Sequence, residues 1–178
     1  MTTAAAEEYK VILSVGDTTF LDYRGIKVKK EGYGPTGNGG NGLILHSALA
    51  IEPEKGQTLG LLWQKLWNRE HKPKPPKDET AEQKKQRQSQ NRKTARQKAF
   101  TEKESYKWVE ALTQLEKQVE ANTRVIHVFD REGDISEVFD QVRQLKHTGV
   151  LVRASHNRSL DQNSERLGVK NGVRTNSF

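Results

Sequence analysis

The sequence predicts an α/β fold, a mixed sheet flanked by helices. Three observations predict it. Apolar, β-rich runs come early in the chain, and strand–helix alternation comes late. Between them, residues 125–129 (VIHVF) hold four apolar residues in five positions and read as a strand buried on both faces. That strand stops at an acid, Asp130, with Gly133 in the turn beyond it. The end of a strand just before a helix is where ligands gather in open α/β sheets.

The 178 residues suffice for one domain with a core, but the composition is polar. It is 33% hydrophobic and 30% charged, with a mean hydropathy of -0.89. One modest core and a large solvated portion follow. No apolar run approaches bilayer length, and MTTAAAEEYK lacks the basic start and apolar stretch of a signal peptide. The absence of cysteine excludes disulfides and thiolate metal sites and fits a reducing cytoplasm. The net charge of +7 is local. Residues 71–98 carry ten Lys/Arg against three acids, and the remaining twenty bases and twenty acids cancel. A concentrated basic patch points to a polyanion, nucleic acid first.

In chain order, residues 9–16 (YKVILSVG) form the first strand, ending at Asp17. Residues 20–23 form a short hairpin partner after a tight connection. The glycine-dense stretch 32–42 lacks the lysine and hydroxyl of a nucleotide P-loop and reads as a mobile connection. Residues 43–51 and 58–67 are further strands. His46 has no second ligand at metal spacing and reads as a hydrogen-bonded core or edge residue. The HKPKPP run is a break, and residues 77–98 then form a helix polar all round. That helix is either a solvated insertion or a phosphate-contacting arm, with Lys85, Arg92 and Arg96 on one stripe.

Thr101 and Glu104 have capping-box spacing for the next helix, whose apolar face is Trp108, Leu112, Leu115 and Val119 and which ends near Asn122. Asp134 and Glu137 have the same spacing after Asp130, ahead of a face of Ile135, Val138, Val142 and Leu145. Residues 150–153 form a last strand, followed by Arg153, His156 and Arg158. Residues 168–178 show neither period nor core positions.

This order matches a ribonuclease H-like topology, incomplete at its C-terminal end. There the strands ending at Asp17 and Asp130 are neighbours, and their acids converge. Alone, Asp130 is either a solvated turn residue or a metal ligand. Convergence with a second acid makes the pair a candidate metal site.

The segments SVGDTTFLDY, NGGNGLILHSALAI, EKESYKW and VFDREGDI occur in that order. Together they resemble the catalytic core of DDE-type bacterial insertion-sequence transposases, in the insertion-sequence-four branch that includes the transposon-five enzyme. The resemblance runs over residues 9–158 and implies a catalytic core over 9–167, with a basic insertion at 71–99 and a tail at 168–178. It implies catalytic, metal-binding roles for Asp17 and Asp130, a DNA-contacting role for Arg153, and two Mg²⁺ ions, replaceable by Mn²⁺, about 3.5–4 Å apart. The implied reaction is strand cleavage and strand transfer at transposon ends. The implied partners are transposon-end and target DNA, with a full-length transposase or a second copy, in a bacterial cytoplasm and with no membrane. The family's third carboxylate, a glutamate in a Tyr–Arg–Glu–Lys signature, has no match, Glu165 being the one late glutamate. The expectation is therefore a truncated, decayed core with weak Mg²⁺ binding and little cleavage. The alternative is a non-catalytic DNA-binding remnant.

Overall fold

The computed structural model describes residues 2–26, 31–71, 73–155 and 173–175. The strands are β1 (Val11–Asp22), β2 (Gly34–Gly37), β3 (Gly40–Ile51), β4 (Thr58–Trp67), β5 (Arg124–Phe129), β6 (Thr148–Arg153) and β7 (Val173–Thr175). The helices are α1 (Thr2–Ala6), α2 (Ala81–Gln97), α3 (Tyr106–Gln118) and α4 (Ser136–Val142). They make a mixed α/β fold on one seven-stranded sheet, ordered β2-β3-β1-β5-β6-β7, with β4 also on β3. β1 is antiparallel to β3 and parallel to β5, and β5 is parallel to β6.

The first strand does not stop at Asp17. β1 runs unbroken to Asp22, and its second half pairs with β3 from Asp17↔Ser47 to Asp22↔Gly42. Asp-Thr-Thr reads as a turn by composition, yet Thr18 and Thr19 are β-branched and gain β3 as a partner. The glycine-dense stretch is likewise not a mobile connection. It forms the β2–β3 hairpin, with Asn38 and Gly39 at φ 49° and 75°. An Asn-Gly pair at positive φ makes the tight hairpin turn whose twist suits the flanking strands.

α3 fulfils its amphipathic pattern, with Trp108, Leu112 and Leu115 at most 1% exposed. Each such burial stabilises by about 1.5–3 kcal/mol. The helix ends at Gln118, with Val119 as its C-cap, one turn short of Asn122. Neither of the capping boxes expected for α3 and α4 forms. Ser105 and Ile135 are the N-caps and make no side-chain cap bond. Glu104 is committed to Arg69, and the buried Asp134 accepts from the N–H and hydroxyl of Ser155 at 2.7 and 3.0 Å. Tertiary partners outbid local ones at both places. The box that does form caps α2, where Thr80 and Gln83 bond reciprocally.

α1, α3 and α4 pack on the same face of the sheet. Ala6 joins Ile12, Ala48 and Leu115 in one cluster, while Trp108, Phe129, Val138 and Val152 form another. The other face has no described helix on it, so β5 is buried on one face and only half-buried on the other at Ile126 and Val128. Leu49 and Leu66 on this open side are 40% and 55% exposed. α2 buries nothing, in agreement with its uniformly polar sequence. The tail is not featureless, because residues 173–175 add β7 antiparallel to β6. His156, Arg158, Glu165 and the boundary at Leu167 lie outside the described residues.

Candidate metal and nucleic-acid site

Strand pairing fixes where the predicted acids stand. Val15 pairs with Val128, and Val128 with Leu151. Asp17, Asp130 and Arg153 each stand two residues beyond these partners, on three adjacent strands. Side chains alternate along a strand, so all three leave the open face together with Leu13, Val15, Ile126 and Leu151. Asp130 keeps an extended backbone, so the alternation reaches it. Asp17 pairs in turn with Ser47, and Ser47 with Gln64. The result is one polar row, from Gln64 to Arg153, crossing the open face.

Asp17, Asp130 and Arg153 are all exposed. Pairing between β1 and β5 ends at Val15, so the edge of β1 beside Asp17 is released where β5 stops. Gly16 sits just before it with a purpose. A side chain there would meet the rings of Phe129 and Trp108 at 3.0 and 3.2 Å, so glycine lets the core close directly beneath Asp17. Asp130 also has a local role, accepting a 2.9 Å hydrogen bond from the Glu132 N–H at the start of a short 3₁₀ turn. The turn-acid reading of Asp130 is thus met by this hydrogen bond.

Two exposed carboxylates with hard oxygen donors suit Mg²⁺, which keeps several waters and takes one or two protein carboxylates plus phosphate oxygens. Among the described residues, no group of three or more His, Asp or Glu side chains is gathered to hold a metal ion.

The basic residues separate into two places. Arg153 joins the row beside Asp130. Lys85, Arg92 and Arg96 stand exposed on α2, on one stripe at i, i+7 and i+11. Arg87 on the same helix is held by Glu79 through two hydrogen bonds of 2.6 and 2.8 Å. The bond to Arg87 lowers the Glu79 pKa.

His46 is fully buried, as a core residue should be, sharing a 2.9 Å hydrogen bond with Thr18 and meeting Trp63 and Trp108 edge-on. Burial, reinforced by the charge of Lys107, pulls its pKa down to about 4. His127 lies on the same side of the sheet with neither ring nitrogen partnered, and burial takes its pKa to about 3. Both rings are neutral near pH 7.

Sequence reasoning missed a second cluster on the helical face. Lys107 is 7% exposed, its ammonium 3.0 Å from Glu132 and over the rings of Trp108 and Trp67 at 5.1 and 5.9 Å. Arg69 grips Glu104 with two hydrogen bonds of 2.6 Å. That grip lowers the Glu104 pKa and raises that of Arg69. The signal was present in EKESYKW, where a lysine beside a core tryptophan stands on the buried side of an amphipathic helix. No helix among the described residues is long and apolar enough to cross a membrane. Compared with known families, the chain matches no family model.

Proposed function

We propose that this chain carries out metal-dependent phosphodiester chemistry on DNA, on a ribonuclease H-like core of the DDE transposase kind. The single observation that carries the reading is the register of Val15 with Val128 and of Val128 with Leu151, which leaves Asp17, Asp130 and Arg153 each two residues further along three adjacent strands. Strand order β4-β3-β1-β5-β6, with antiparallel pairs first and parallel pairs after, supports the fold assignment. Asp17 and Asp130 would hold Mg²⁺ or Mn²⁺, which supplies charge neutralisation and an acidified water for attack at phosphorus. Arg153 lies one strand from Asp130, where its fixed planar donors suit a phosphate oxygen. Transposon ends and target DNA are the proposed substrates.

A second reading, DNA binding without cleavage, is favoured by α2. That helix buries no residue and presents Lys85, Arg92 and Arg96 to solvent. A full-length transposase or a second copy would then be the natural partner on a shared DNA site.

One experiment separates the readings: incubation of a labelled duplex with Mg²⁺ or Mn²⁺, using Asp130→Asn as control. Cleavage that disappears in the variant supports catalysis. Salt-sensitive binding without cleavage supports the second reading. Failure to bind DNA at low salt overturns both.

A further inference from the structure

A cavity of about 270 Å³ opens on the helical face, at the same end of the sheet as the acids. Its floor is Thr18, the residue after Asp17, and one wall is Glu132, two residues past Asp130. Phe20, Trp67 and Trp108 supply aromatic surface.

The charges decide what kind of guest fits. Two cations and two carboxylates line the space, and they are paired: Lys107 with Glu132, Arg69 with Glu104. The lining therefore carries no net charge, which disfavours a phosphate or a carboxylate as guest. The paired groups still offer N–H donors and oxygen acceptors around flat aromatic walls. A neutral planar ring edged with donors and acceptors matches that lining, as unstacked bases do on aromatic side chains. Arg69 also lies 5.6 Å from the centroid of Phe20, which is 45% exposed, so a guanidinium–ring pair stands beside the cavity.

We propose that this cavity binds a single unstacked nucleobase. Its use on a DNA strand rests on the reading above, in which the backbone of that strand passes Asp17 and Asp130. Thr18 faces the helical side of the sheet and Asp17 the open side, so a base seated over Thr18 would anchor the strand across β1 from the acids, with its backbone rounding the end of β5 at Asp130 to reach them.

The test uses the full chain with a single-stranded oligonucleotide carrying one 2-aminopurine, an abasic counterpart, and free 2-aminopurine riboside. Expected are quenching of the fluorescent base on binding, and about tenfold weaker binding of the abasic strand. Phe20→Ala and Trp67→Leu should each erase that difference while salt-sensitive binding persists. Phe20 is half-exposed, so its variant keeps the test valid if the tryptophan variant fails to fold. Equal affinity for the two strands, with no quenching, overturns the base site and leaves the DNA reading standing. Variant-sensitive quenching of the free riboside without strand binding keeps the site and overturns the DNA reading. No response to any probe overturns both.

Discussion

Asp130 holds a backbone N–H and faces the polar row, so its two roles separate under substitution. In Asp130→Asn the amide oxygen still accepts from the Glu132 N–H. The unfolding free energy should move by no more than about 0.5 kcal/mol, as for a surface change, while divalent-ion binding disappears. Urea unfolding alongside Mn²⁺ titration measures both, and a large loss of stability would make Asp130 chiefly structural. The buried histidines make a pH prediction. Their folded pKa values, about 4 for His46 and about 3 for His127, lie below the usual 6.5. The unfolded chain thus takes up protons first as pH falls. Stability is whole above pH 6.5 and is lost on the way down to pH 4 and 3, at about 1.4 kcal/mol per pH unit per histidine. His127→Leu removes two unpartnered nitrogens, so it should be near neutral or stabilising at pH 7 and should halve that acid slope. Urea titrations at pH 7, 5.5 and 4.5 check it. Of these residues, the acids were legible because each stands beside an apolar strand pattern. Lys107 was legible only in part: Trp108 is its neighbour in the sequence, but the Trp67 ring and the Glu132 carboxylate that justify burying a lysine come from two distant segments.

At the scale of elements, α2 stands by local interactions alone. With no buried side chain, its helicity rests on the Thr80–Gln83 box and on propensity. Thr80→Ala should cost the helix about 1 kcal/mol. The loss would appear in far-ultraviolet circular dichroism and in faster amide exchange over residues 81–97, with the global urea midpoint unchanged. A shifted midpoint would mean that the arm docks on the core. Element existence was legible wherever period and length agreed, as in α3, β3 and β4. It failed where composition stood in for pairing. Glycine density concealed the β2–β3 hairpin, and Asp-Thr-Thr concealed the continuity of β1, because both depend on what β3 offers opposite. The two unformed capping boxes failed for a related reason: local spacing cannot reveal that Glu104 and Asp134 have longer-range partners.

The whole molecule combines a near-neutral core with a charged arm. Replacing Lys85, Arg92 and Arg96 by Gln should lower the slope of log binding constant against log salt by about 2.7 for duplex DNA. Fluorescence anisotropy between low and moderate salt measures it, and an unchanged slope would remove α2 from the interface. That every described helix packed on the sheet lies on one face was not legible, since an alternating strand and a doubly buried one differ by only a few residues in a short run. The arm leaves the core after β4 and returns before α3, and Arg69 and Glu104 meet where it departs and rejoins. That double hydrogen bond is a clasp at the base of a loop. Closure entropy grows only logarithmically, so doubling the enclosed length costs about 0.6 kcal/mol. The arm is in this sense an interchangeable cartridge: it can lengthen, shorten or change charge while the core beneath keeps its geometry.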